Sequence, residues 1–424
     1  MTVNRAALVG PDSPTHKALS APALLMLSFM LTTVLIPTTI LNKVLFAALL
    51  GWILRLFLKN RSPRPELIMP VVAIMGIFFY GLVLAITADN DRALALQFFL
   101  AIFVLTLTHF VEYFHIDMDR ASEICGKAMV LFTMLYATFA LNPTLPYATV
   151  LVEWFNIISS SSTSEREFSD TATSTLALGT APFLFVPFCI VTIRLFQRFR
   201  GSDFFWLMLY AGTIISSGAR GIIVVALAFL VLAALRLASP LVRILVVIAV
   251  GVLFFIIIPE ILVYTNIFSD EEVSNNVKIG HFDSYIDVLN ISNGLLGEGL
   301  GSYYYSSGKG LLIQHTEITP LDMARYVGIP LATMFFIILL IPRIKLITPR
   351  YFEFIYTISF ALYLVLSVTN PVLINSYGML VVVWYWTKLR VPHPADFAAR
   401  PSSPPNNSPA FAGAQFPFRD GIAR

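Results

Sequence analysis

LIMPVVAIMGIFFYGLVLAIT, residues 67–87, runs for 21 positions without a single charge. A helix of that length rises about 30 Å, the thickness of the hydrocarbon core of a bilayer. Its apolar residues are continuous rather than alternating, which points away from a barrel strand. In hydrocarbon a helix satisfies its own backbone groups. The stretch therefore predicts a transmembrane helix.

Working outward, similar runs recur at 22–41, 44–58, 93–112, 127–141, 174–194, 203–218, 221–236, 244–262, 324–342, 352–369 and 371–387. Composition agrees: 57% of the 424 residues are hydrophobic and 12% are charged, about half the charge of a typical soluble domain. The fold class expected is an all-α polytopic membrane bundle of about twelve transmembrane helices, occupying 22–387. The polar first residues carry no cleavable signal pattern, and 1–21 is expected to be a cytoplasmic tail. The Pro/Ser/Asn-rich segment 391–424 is expected to be a disordered cytoplasmic tail. The two cysteines, Cys125 and Cys189, read as buried thiols rather than a disulfide or metal pair.

Lysine and arginine orient the bundle, since short cytoplasmic loops are enriched in them. With the N-terminus inside, 21 of the 28 fall on cytoplasmic segments, Arg55, Lys59, Arg194, Arg343 and Lys388 among them. The other seven are Lys43, Arg92, Arg166, Arg220, Lys278, Lys309 and Arg325. Both termini are therefore expected in the cytoplasm. Two segments on the opposite side are long, 142–173 and 263–323. The second is too rich in Tyr, Phe, Ile and Leu to read as disordered.

Candidate chemistry gathers on that opposite side. Arg220, in Ser216-Ser217-Gly218-Ala219-Arg220-Gly221, begins a span among small residues. A cation at that depth pairs or meets an anion, and guanidinium suits a phosphate; the bland alternative is an arginine snorkelling to headgroups. Within the long loop, His281, Tyr285 and Val288 or Leu289 share helical spacing, predicting an amphipathic helix over 279–291. Gly294, Gly297, Gly299 and Gly301 follow as a turn-rich stretch, without the lysine or the spacing of a nucleotide loop. His315, Glu317, Asp322 and Arg325 come next. With Lys278, His281 and Asp283 the loop offers cations for an anionic leaving group and imidazole or carboxylate for a general base. Asp322 and Arg325 also suit a simple helix start. His109 and Glu112, near the inner end of another span, read as interfacial residues rather than a proton path.

In this order the features resemble the bacterial O-antigen polymerases, within the wider group that includes O-antigen ligases. The likeness covers roughly 200–385. It rests on the Ser216–Gly221 stretch, the long loop with Gly-Leu-Leu-Gly-Glu-Gly-Leu-Gly at 294–301, His315-Thr316-Glu317 with Asp322, Arg325 and Gly328, and the Asn370-Pro371 pair. The chain departs from the pattern where Gly218-Ala219 separates serine from arginine. Ligases usually show His-Asn where this chain has His315-Thr316, which favours a polymerase. The resemblance implies a GT-C-like membrane glycosyltransferase in the bacterial inner membrane, joining undecaprenyl-diphosphate-linked oligosaccharides on the periplasmic face. It implies Arg220 and Arg325 on the diphosphate, with Lys278 or His281 assisting, and His315 or Glu317 as base. Asp283 and Asp322 are further candidates. No metal, nucleotide or nucleic acid is required, and a chain-length regulator is an expected partner alongside the bilayer. The alternatives are ligase-type transfer to another acceptor and, from another class, a flippase for the same lipid-linked sugars. A flippase would favour internal repeats and midplane charges, and neither stands out.

Overall fold

The computed structural model describes residues 20–59, 65–159, 161–168, 171–252, 273–314, 316, 318–342 and 353–389. The expected C-terminal tail and residues 1–19 of the N-terminal one lie outside them, and so do His315 and Glu317, while Ala21 already opens the first helix.

The described chain is mostly helical. In order come α1 (Ala21–Leu35), α2 (Ile40–Leu58), α3 (Pro65–Thr87), α4 (Arg92–Ile102), α5 (Leu107–Phe114), α6 (Met118–Ala140) and α7 (Ala148–Ser159). A hairpin of β1 (Ser161–Phe168) and β2 (Thr171–Leu178) follows. Then come α8 (Phe185–Gln197), α9 (Gly201–Ser216), α10 (Arg220–Leu237), α11 (Pro240–Val252), α12 (Val273–Val288) and α13 (Ile291–Leu296). A second hairpin, β3 (Tyr304–Ser306) with β4 (Leu311–Ile313), leads to α14 (Thr319–Val327), α15 (Ile329–Leu340), α16 (Phe354–Leu366) and α17 (Ser376–Lys388). Among the described residues, five helical stretches are long and apolar enough to cross a membrane: Ile40–Leu58, Ile68–Thr87, Arg92–Phe114, Met118–Ala140 and Arg220–Leu237. The molecule is a membrane protein built as a helix bundle.

Two helices form its centre. Every residue from Met379 to Trp386 of α17 and from Phe185 to Ile193 of α8 is buried. A helix that is apolar all round belongs in the interior. The outward faces of α2, α3 and α10 keep exposed Leu, Ile, Val and Phe, such as Leu54, Phe79 and Val224, as surfaces meeting lipid do.

Several expected boundaries move. The run 127–141 belongs to a helix starting at Met118, because Asp117 caps it, its Oδ1 accepting from the Asp119 and Arg120 amides. Asp119 and Glu123 fall outside the expected run and Lys127 at its edge, yet all three sit within that helix and find partners in neighbouring ones. Asp119 accepts from Trp384 Nε1 at 2.8 Å and pairs with Lys388 at 2.5 Å. Glu123 pairs with Arg194. The span expected at 174–194 begins later, since 171–178 is a strand. Both long segments carry a two-stranded hairpin, so the all-α description holds for the bundle and not for its loops. The run 324–342 is broken at Gly328, whose φ of +81° ends α14 and opens α15 at a new angle. Asp322 and Arg325 therefore lie on a separate loop helix, not at the entry of the next apolar helix. The amphipathic helix expected at 279–291 is shifted to Val273–Val288, and Gly294 falls inside α13.

Candidate functional site

The long loop is fastened to the bundle through its glycines. Gly297, Gly299 and Gly301 have φ of +79°, +91° and +67°. A Cβ on Gly299 would lie 2.5 Å from the Ala85 amide nitrogen, and one on Gly297 would lie 2.6 Å from that of Gly328. Only glycine allows this left-handed backbone to press so close. The four amide hydrogens from Gly297 to Leu300 are used within the chain. Gly297 donates to Asn293 O, Glu298 to Arg325 O, Gly299 to Tyr326 O and Leu300 to Gly81 O, at 2.8–3.0 Å. Asn90 and Tyr80 add side-chain donors to the carbonyls of Glu298 and Leu296. The stretch is a plug seated against the end of α3, and none of these amides is left for a phosphate.

Behind the plug lies a buried polar knot. Arg325 is 1% exposed. One Nη donates to Ser302 O at 2.5 Å, and the other reaches Gln314 O and approaches Asp322 Oδ1 at 3.5 Å. Its guanidinium carbon stands 4.6 Å from the centre of the Tyr304 ring and 4.9 Å from that of Tyr326. The Tyr326 hydroxyl also donates to Gln314 O, at 2.6 Å. Asp322 accepts the Thr316 amide on both carboxylate oxygens at 2.9 Å. Burial raises the Asp322 carboxyl to about 7, with Arg325 and the Thr316 bonds pulling against it. Burial likewise pushes the Tyr304 phenol above its ordinary value. Expected as a diphosphate contact, Arg325 instead spends its charge on backbone carbonyls. Asp322, expected at the chemistry, is a clamp on the Thr316 backbone.

His281 is similarly enclosed. It is fully buried on α12, with Nδ1 2.5 Å from Ser306 Oγ on β3. Beside it Ser284 bridges to Ser307, and Gly280 packs on Gly308. The histidine therefore fixes α12 to the second hairpin and presents nothing to solvent. Lys278 is half-buried one turn away, and Asp283 is exposed on the opposite face.

Arg220 is placed differently. Ser216 closes α9, Gly218 turns at φ +64°, and Arg220 is the first, half-buried residue of α10. The neighbouring Gly221 leaves room for the α16–α17 link: a Cβ there would lie 2.5 Å from Thr369 Oγ1 and 2.9 Å from Asn370 Nδ2. Two residues before Thr369, Ser367 O accepts the Thr319 amide at 3.0 Å. The link thus touches the base of α10 on one side and the start of the loop helix on the other. Arg220, Asn370 and the start of α14 are brought to one end of the bundle.

Sequence reading missed Asp91, Gln314 and Tyr303. Asp91 caps α4 through Oδ1 and accepts from Gln314 Nε2 at 3.0 Å through Oδ2, while Gln314 also donates to the Tyr303 hydroxyl at 2.7 Å. The capping signal of an Asp before an apolar run was present, but its second partner lies 223 residues away. An apolar cavity of about 460 Å³ lies at the other end of the bundle, between α2, α3 and the α4–α5 stretch, and is lined by Leu54, Phe57, Val71, Met75 and His109. It is remote from every loop residue named above. Compared with known protein families, curated proteins and solved structures, the chain matches none.

Proposed function

We propose that the chain is a polysaccharide polymerase of the bacterial inner membrane, with about twelve spans, both termini cytoplasmic and the long loop periplasmic. Its substrates are oligosaccharide repeat units carried on undecaprenyl diphosphate. In the reaction, a sugar hydroxyl oxygen of one lipid-linked unit attacks the anomeric carbon of another. The new C–O bond forms as the bond to the diphosphate breaks. The hydroxyl proton passes to a base, and the lipid diphosphate leaves. The chemistry asks for cations around the departing diphosphate and a base beside the hydroxyl.

One observation supports this reading above the others. The α16–α17 link joins the first turn of α10, with its half-buried Arg220, to the loop helix that follows His315 and Glu317. A cation on a membrane-spanning helix and a base-bearing loop at the same end suit a donor whose diphosphate lies at the lipid surface. Arg220 is the principal diphosphate contact in this proposal, with Lys278 assisting. Arg325, Asp322 and His281 act on the shape of the loop. The base is His315 or Glu317, both outside the described residues.

The test is a glycan ladder from cells lacking the gene, complemented with wild type or with Arg220→Ala. Polymerase predicts that deletion leaves a single repeat unit on its acceptor and that Arg220→Ala does the same at normal protein level. Complete loss of glycan from the acceptor, with full-length polymer held on the lipid carrier, would assign a ligase. Precursors accumulating on the inner leaflet, with no single unit exported, would assign a flippase.

A further inference from the structure

The loop carries an apolar face for which the bundle supplies no cover among the described residues. On α13, Ile291 is 83% exposed and Leu295 and Leu296 are each 57% exposed. Three large aliphatic side chains on a six-residue helix are expensive to leave in water. Monomeric proteins rarely keep such contiguous apolar surface without a use.

Its position indicates what covers it. The Tyr80 hydroxyl of α3 holds Leu296 O at 2.8 Å, and Gly294 packs against Leu289 and Ile329, the first residue of α15. Both helices present exposed apolar stripes that lead up to it. These are Phe79, Val83 and Ile86 on α3, and Ile329, Met334 and Ile337 on α15. Ile68–Thr87 is one of the membrane-crossing stretches, so the α13 face continues a surface that already meets lipid. On the preceding helix α12, Asp283 and Asp287 are exposed, and carboxylates require water.

The backbone of α13 is prepared for that setting. Asn290 and Asn293 cap each other's amides at 3.0 and 2.7 Å. Asn293 Nδ2 also closes the Val288 carbonyl at 2.8 Å, and the Gly297 amide closes the other end on Asn293 O. Hydrogen-bonding groups closed within the chain lose little when water is removed; open ones lose several kcal/mol each.

We infer that α13 is an interfacial helix whose Ile291–Leu295–Leu296 face is immersed in the bilayer leaflet on the loop side, setting the depth of the whole loop. The partner is the acyl region of the lipid, met at the boundary between chains and headgroups. This inference is independent of the proposed reaction.

The full chain is tested in phosphatidylcholine nanodiscs with a fluorophore on Ile291→Cys or Leu295→Cys. Asp283→Cys serves as the water-side control. Cys125 and Cys189 are buried and remain in place. At 291 and 295, lipids spin-labelled near the headgroup should quench strongly. Iodide quenching there should fall about tenfold below the control, since anions are excluded from hydrocarbon. Equal iodide quenching at all three sites overturns the inference, because the helix then stands in water. Protection from both quenchers also overturns it, because the face is then covered by protein, from a second copy or from the chain itself. Monodisperse elution of each labelled variant shows that the fold has survived the substitution.

Discussion

Arginine appears twice at the loop end of this bundle, and the two residues do opposite work. Arg325 is sealed by two carbonyls, one carboxylate and two aromatic rings, so its removal leaves buried acceptors without a cation. Arg325→Ala is expected to cost about 3–5 kcal/mol, the usual penalty for breaking a buried charge pair. It should appear as a lower thermal midpoint in detergent and faster proteolysis after 300. Arg325→Lys should recover only part, because one ammonium cannot reproduce the forked donors. Arg220→Ala is expected to keep its thermal midpoint while losing polymer, since its residue is only half-buried at a helix start. Asp322 adds a pH test. Its folded-state value near 7 lies above the ordinary 3.8, so the folded loop keeps a proton that the opened chain has released. The stabilisation is complete below the lower value and is lost as pH rises through the upper one. Intrinsic-rate-corrected hydrogen exchange over 316–327 should therefore be faster at about pH 8 than at about pH 5, and Asp322→Asn should flatten the difference. In the sequence, Arg220 and Arg325 looked alike: scarce cations on one side. Burial separates them, and burial depends on Ser302, Gln314 and Tyr304, whose approach no local pattern announces.

At the scale of elements, the apolar runs were readable because hydrocarbon imposes one length and one secondary structure on them. Residues 221–236 and 203–218 match α10 and α9 within two residues at each end. Errors fell where polar residues join a helix. The charged first turns of α6 looked like loop until their partners on α8 and α17 were known. The split at Gly328 was hidden because an apolar run gives no sign of a change in direction. The glycines at 297–301 were visible as a cluster, and their reason is the seat on α3. Gly299→Ala should therefore unseat the loop. The left-handed backbone alone costs about 1–2 kcal/mol, and the added carbon would also collide with the α3 backbone. Limited proteolysis should cut the variant between β4 and α14 while the bundle stays intact.

Across the whole molecule, the two ends are held by different chemistry. The loop end uses backbone hydrogen bonds and close glycine contacts. At the other end α6, α8, α9 and α17 are tied by side-chain charges. Arg194 spans Glu123 and Asp203 at 2.5 and 3.1 Å, Lys388 meets Asp119, and Lys127 lies 4.9 Å from the centre of the Trp206 ring. In the proposed topology that end faces the cytoplasm. In intact cells, an impermeant maleimide should label Asp283→Cys and spare Lys59→Cys until the membrane is opened. The native cysteines, both buried, should stay unlabelled throughout. The seat of Leu300 on Gly81 O has a consequence for biosynthesis. At about 5–20 residues per second, the ribosome delivers the plug some 10–40 s after its socket. For that interval α3 goes without the Leu300 bond, while every helix up to α12 is made. The loop thus cannot lock until its glycines are made, and a nascent chain stalled before residue 297 would lack both the plug and α17, one of the two helices at the centre of the bundle.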